Sequence, residues 1–217
     1  MPDTLDRDLL VTVLRETATV MQGDPAAEVR KLDAEIGDGD LGITLQKGFR
    51  AVAEYLDTAE EGDVSSILKQ SGMVFSETSP STFGSLFGTG LRKAGVALKE
   101  KESIGAREFS DMLEAAVQGM IKLGKASRGD KTLLDALIPA SEAAASAAEA
   151  GKGLVETAHQ AADAGERGLR ETVDMISKMG RARSFGERTR GVQDPGATAV
   201  YHFLAALAAS VEKHCPS

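Results

Sequence analysis

Tryptophan is absent from this sequence, cysteine occurs once, and aromatic residues make up only 4% of it. Each shortage removes a class of function. The lone thiol, Cys215, can form neither a disulfide within the chain nor a cysteine-based zinc site. It fits a reducing cytoplasm. So few aromatic side chains leave little surface on which nucleobases of a strand could stack. Excess positive charge is missing as well: 25 Lys and Arg face 33 Asp and Glu, a formal net charge of −8. Such a chain has no long-range attraction for nucleic acid or for an anionic membrane. No stretch approaches the ~20 apolar residues of a membrane span. Residues 1–10 are charged and lack the apolar core of a signal peptide. Runs of alternating β-branched residues are lacking too, which leaves helices as the building material.

What is present fits one globular domain over residues 1–217, with 42% hydrophobic and 27% charged residues. Apolar residues recur at helical spacing in eight segments. Leu5, Leu9, Leu10, Val13 and Leu14 define the first, with Asp3 or Thr4 as its cap. Leu45 to Leu56, Ile67 to Phe75, Leu86 to Leu98 and Phe109 to Ile121 define the next four. Leu133 to Ala150 is Ala-rich, with Pro139 kinking it or marking its first turns. Leu154 to Met179 and Gly196 to His214 complete the set. The expected fold is all-α, an antiparallel up-and-down bundle or barrel of eight helices.

The connections alternate in character. Four are rich in Asp, Arg, Gly and Ser: Asp33–Gly42, Ser79–Gly84, Gly124–Thr132 and Gly180–Gly196. The three between them are bland. Up-and-down packing puts every second connection at the same end, so the four rich loops and four helix N-termini converge there. Unpaired amides and the partial positive charge of helix N-termini suit an anion, phosphate above all. Asp194 as cap and Pro195 in the first turn mark one such N-terminus.

Asp33, Asp38 and Asp40 fall within eight residues, with Gly37 and Gly39 between them and Gly42 just after. Carboxylates on a glycine-rich loop suit a hard divalent cation, although a polar turn with helix caps has the same composition. A calcium EF-hand is excluded: counted from Asp38, the fifth position is Gly42 and the twelfth is Phe49, where ligands are required. Mg²⁺ shared with a phosphate fits better. Gly129-Asp130-Lys131-Thr132 is faintly like the end of a P-loop, but the full motif is absent, and Asp130 could equally cap the sixth helix. Arg181, Arg183, Arg188 and Arg190 could grip phosphate or simply line a solvated loop. His159, His202 and His214 are assigned no role. Ser79, Ser81 and Ser85 lack the His/Asp pattern of a hydrolase triad.

Three stretches, LDAEIGDGDLGITLQKGF, GDKTLLDAL and GRARSFGERTRGVQDPGA, together resemble the L subunit of bacterial dihydroxyacetone kinases, the nucleotide-binding or Dak phosphatase-like domain. The resemblance implies an antiparallel eight-helix barrel with the nucleotide at one end. It implies two Mg²⁺ ions on Asp33, Asp38 and Asp40, which with Arg181 would form the catalytic set. ADP or ATP contacts would fall on Leu41, Gly42, Ile43 and Thr44, on Thr82 and Phe83, and on Gly124 and Leu133. They would continue at Arg181 and at Asp194, Pro195 and Gly196. The sugar would be held by a separate K-type subunit, with ATP or a phosphotransfer-system protein as the phosphoryl source; a homodimer is compatible. Two positions depart from the family pattern. Leu41 stands where His is frequent, and Pro80-Ser81-Thr82-Phe83-Gly84 replaces a glycine-rich segment. The second departure puts a Phe at a nucleotide-facing position in place of a small polar contact.

The resulting expectation is a cytoplasmic kinase subunit, active only with its partner and acting on a ketose or tetrose. One rival is a nucleotide-sensing module that binds a transcription regulator without catalysis. Another is a metal-dependent phosphatase using Glu35 as base.

Overall fold

A computed structural model describes residues 3–215. Among them there is no β-strand, and one isolated bridge pairs Leu5 with Ile104. The α-helices are α1 (Arg7–Met21), α2 (Asp24–Ile36), α3 (Leu41–Thr58), α4 (Val64–Thr78), α5 (Thr82–Ala97), α6 (Ala106–Gly124), α7 (Leu134–Glu149), α8 (Leu154–Glu171) and α9 (Pro195–His214). Two 3-10 stretches, Thr172–Asp174 and Arg181–Thr189, lie between α8 and α9. No helix among the described residues is long and apolar enough to cross a membrane.

Eight of these helices close a ring. In the order α1, α3, α4, α5, α6, α7, α8, α9 each packs on the next, and α9 packs back on α1. Arg7, at the start of α1, donates to the carbonyl of Ala59, just past the end of α3. Arg15 pairs with Asp57 at 3.2 Å, so α1 and α3 run antiparallel. Short connections impose the same alternation from α3 to α8, and the His159–Glu212 pair, joining the start of α8 to the end of α9, extends it to α9. This is the antiparallel eight-helix barrel that the periodicity predicts.

α2 is an additional helix, packed on α3 and α9. The sequence pattern reads this segment as loop because only Ala26, Val29 and Ile36 are buried on it. Three apolar contacts make a weak periodic signal. Two further expectations shift. Asp6 caps α1, accepting the amides of Asp8 and Leu9, while Asp3 accepts the Leu154 amide at 2.8 Å at the start of α8. The helix expected to reach Met179 ends at Glu171. There the buried Thr172 hydroxyl donates to the Leu169 carbonyl and accepts the Asp194 amide at 3.0 Å. A tertiary hydrogen bond thus turns the backbone toward α9.

Five of the seven phenylalanines form the hub of the core. Phe49 has Phe75, Phe87 and Phe203 around it, ring centroids at 5.0, 5.4 and 5.9 Å. Phe83 stacks on Phe87 at 5.6 Å. At about 1.5–3 kcal/mol per buried ring, this cluster locks α3, α4, α5 and α9 together. The α7–α8 seam uses small residues instead. Ala136, Ala140, Ala144 and Ala147 of α7 are buried. Pro139 lies inside α7 without ending it. Its missing N–H frees the Asp135 carbonyl, which lies against Gly168 of α8, where a Cβ would come within 2.1 Å of it.

Candidate functional site

The alternation of the ring puts the N-termini of α3, α5, α7 and α9 at one end. Their N-cap residues are Asp40, Ser81, Leu133 and Asp194. All four line one cleft of about 320 Å³, within the range of small-molecule sites, ~300–1,000 Å³. Ser81 accepts the Gly84 amide at 2.9 Å, and Asp194 accepts that of Ala197 at 2.7 Å. Asp40 makes no such bond with its own helix. Asp33 replaces it, reaching from the last turn of α2 to accept the Leu41 amide at 3.0 Å. Each N-terminus adds a partial positive charge to this end of the barrel.

Asp33, Asp38 and Asp40 place carboxylate oxygens within 4.8 Å of one another. Two glycines permit this. A Cβ on Gly37 would lie 2.2 Å from Asp33 Oδ1, so a side chain there would block the carboxylate. Gly39 has φ +75°, a conformation costly for other residues. Three carboxylates this close repel one another. Arg181 offsets part of that repulsion: its guanidinium pairs with Asp38 and lies 3.8 Å from Asp40. The donor set is all oxygen, with no His or Cys, and suits a hard cation such as Mg²⁺. Much of the remaining lining is apolar: Phe83, Leu86, Met120, Leu133, Leu134 and Met179. A cleft with an apolar wall and an anion-attracting rim matches a ligand that is a flat ring at one end and polyanionic at the other.

The structure brings most of the residues named from the sequence to this one place. Asp33, Asp38, Asp40 and Leu41 line the cleft from the α2–α3 side, and Thr82 and Phe83 from the start of α5. Gly124, Leu133, Arg181, Asp194, Pro195 and Gly196 line it as well. Gly42, Ile43 and Thr44 do not. Gly42 faces α2, where a Cβ would meet the Ala26 carbonyl at 2.4 Å. Ile43 is exposed, and Thr44 is buried with its carbonyl accepting the Ser79 hydroxyl at 2.9 Å. The unusual Phe83 is 8% exposed and continues the core cluster up to the cleft wall.

Of the four arginines in the α8–α9 connection, Arg181 alone lines the cleft. Arg188 lies over the Phe185 ring and Arg190 pairs with Glu187 at 3.3 Å. Asp130 does not cap α7. It accepts the Ser127 amide at 2.8 Å and pairs with Lys178 at 3.2 Å. Asp135 instead gathers the loop, accepting the Gly129 and Thr132 amides at 2.5 and 2.7 Å. The three histidines pair with Glu212, Glu28 and Glu16, away from the cleft. Met120 and Met179 escaped the sequence reading, since an apolar residue carries no sign of lining a cleft.

Asp194 is buried, which pushes its carboxyl up to about 7; the Ala197 amide opposes this, the nearby Asp135 charge adds to it, and Lys131 opposes it in turn. In the unfolded chain an aspartate titrates near ~3.9. The folded chain therefore holds this proton more tightly. The stabilisation is complete below about pH 4 and is lost as pH rises to about 7. Between pH 5 and pH 8 the wild type should lose about 2–3 kcal/mol relative to Asp194→Asn, which cannot titrate. Urea unfolding of both proteins at the two pH values measures this, and parallel pH dependence would refute the assignment.

Comparison with known proteins fits this geometry. The DAK2 domain model matches residues 35–209. The ADP-binding subunit DhaL of the PEP-dependent dihydroxyacetone kinase of Escherichia coli is 34% identical over 182 residues, 84% of this chain and 87% of that one. The L-erythrulose kinase of Pectobacterium atrosepticum is 32% identical over 84% of this chain and 31% of its own length. The dihydroxyacetone kinase of C. freundii, solved in complex with AMP-PNP and Mg²⁺, superimposes with a TM-score of 0.72 at 22% identity, over 95% of this chain and 34% of that one. The chain thus spans most of the E. coli subunit but about a third of the other two proteins.

Proposed function

Because the chain belongs to the DAK2-domain family, we propose that it is the nucleotide-binding subunit of a two-component kinase acting on dihydroxyacetone or a related ketose. The observation that carries this reading is the meeting of four helix N-caps and three carboxylates on one cleft. The E. coli relative is an ADP-binding subunit, and the C. freundii kinase was solved with a nucleotide analogue and Mg²⁺. The erythrulose kinase among the relatives extends the acceptor class to tetroses.

In this reading Asp33, Asp38 and Asp40 hold one or two Mg²⁺ ions. Bound there, Mg²⁺ would neutralise charge on the β- and γ-phosphates. The first turn of α9, with Pro195 and Gly196, adds its N-terminal dipole toward the phosphates. Arg181 offsets charge on the transferring group. Phe83, Leu86 and Met179 pack the base and exclude water from it. A separate K-type subunit holds the sugar and covers this end of the barrel. The phosphoryl group comes from exchanging ATP, or from bound ADP recharged by a phosphotransfer-system protein, as the PEP dependence of the E. coli relative favours.

Ligand binding to the folded state alone stabilises it by mass action, about 2.7 kcal/mol at 100 times Kd. For a chain of this size that is a rise of roughly 5–11 °C in melting temperature. MgADP should produce the rise and EDTA should abolish it. A melting curve indifferent to saturating MgADP would remove the basis for a nucleotide site.

A further inference from the structure

Lys131 is among the largest fully buried side chains of the molecule, 2% exposed. Burying an ammonium is costly unless each proton finds an acceptor. Here all three do: Lys131 Nζ donates to the carbonyls of Met175, Thr189 and Val192 at 3.2, 2.5 and 2.6 Å. No proton is left for a phosphate, so Lys131 is not a P-loop lysine despite the Gly-Asp-Lys-Thr sequence around it. Burial also holds its pKa below the usual lysine range.

The three acceptors lie on both sides of Arg181. They belong to the strap that joins α8 to α9, residues 173–193, which has little else to hold it. Its buried residues are Ser177 and Thr189, both polar. Its one apolar contact with the core is the partly buried Met179, so apolar burial fastens it only weakly. The Arg181 pair with Asp38 and Asp40 is exposed at the arginine side, 70%, and exposed pairs contribute little order. Polar pins do the fastening. Lys178 donates from its backbone to the Asp130 carbonyl at 3.1 Å and from Nζ to the Gly129 carbonyl at 2.9 Å. Within the strap, Thr189 Oγ1 accepts the Ser177 amide at 3.0 Å and donates to the Gly186 carbonyl at 2.7 Å. Lys131 is the one buried cation among these pins, and it joins the loop before α7 to the strap.

We propose that Lys131 is a positioning residue: it holds the 173–193 strap, and through it Arg181, over the cleft. The role in nucleotide binding rests on the function proposed above. The pin reinforces the weak apolar anchor that Met179 gives the strap. Its loss leaves Arg181 free to move away from Asp38 and Asp40 while the phenylalanine core stays intact.

Two measurements on the full chain test this. The first is hydrogen exchange without nucleotide. Lys131→Met should lower protection of the Ser177, Lys178 and Gly191 amides while leaving α3 to α6 as in wild type. Unchanged protection in the strap, or an equal loss everywhere, overturns the pin. The second is calorimetry with MgADP on Lys131→Met, Arg181→Ala and the double variant. Each single change should weaken binding on the order of tenfold. The double variant should bind no more weakly than the worse single, because Lys131 acts through Arg181. Multiplied losses overturn the positioning role. Should Lys131→Met not fold, Lys131→Gln, with two donors for three carbonyls and no charge, should show the same losses to a smaller degree, and no loss at all overturns the pin. A wild-type chain that binds no MgADP overturns the proposed function and this role with it. A wild type that binds, beside a Lys131 variant of equal affinity, overturns this role alone.

Discussion

Asp38→Asn should weaken MgADP binding by about 100-fold, equivalent to about 2.7 kcal/mol, and leave the nucleotide-free fold intact. Charge decides the outcome. Asp38 is one of three carboxylates with oxygens within 4.8 Å of one another. A divalent cation bound among them gains from every negative charge it neutralises, and Asn keeps the shape while removing one. Without ligand, the same substitution relieves repulsion among the aspartates and removes an exposed pair with Arg181, worth about 0–1 kcal/mol. The two effects nearly cancel, so the melting temperature of the free protein should hardly move. Glu61→Gln is the control, an exposed carboxylate in the α3–α4 connection at the other end of the barrel. Calorimetric titration of both variants decides the matter: equal MgADP affinity for the two would refute a metal role for Asp38.

The purified chain should not phosphorylate a sugar. With ATP, Mg²⁺ and a panel of ketoses and tetroses, turnover should stay at background. A cognate K-type subunit should raise it by several orders of magnitude, and Asp40→Asn should abolish the restored rate. The cleft carries three carboxylates, four helix N-termini and Arg181, which in the proposed function serve the donor half of phosphoryl transfer. No histidine lines it; the three present are paired with glutamates elsewhere. Two of the three clustered carboxylates, Asp38 and Asp40, are exposed, so water has access to that end until something covers it. In-line transfer needs the acceptor oriented and water shut out, and the two-component reading gives both tasks to the partner. Robust ketose phosphorylation by this chain, with contaminating kinase excluded by mass spectrometry, would overturn the two-component reading.

The sequence by itself determined the helical class, the alternation of rich and bland connections, and the carboxylate cluster. The reason is locality. Helical periodicity is written within a turn or two, as in α6, where eight residues on one face are buried. Asp33, Asp38 and Asp40 lie within eight residues, and Gly37 and Gly39 between them mark the close approach. Where the local signal is thin, periodicity does not define the element. α2 buries only three residues, too few for a periodic signal, and α8 stops early because Thr172 bonds to Asp194, 22 residues away. Only the tertiary structure decided the rest. It turned Phe83 from an oddity in a nucleotide loop into the top of the phenylalanine cluster. It removed Ile43 and Thr44 from the cleft wall and added Met120 and Met179. It also set Lys131 against carbonyls 44, 58 and 61 residues distant. No sequence pattern could announce those partners, because every residue carries a backbone carbonyl and only the fold selects which three meet one buried ammonium.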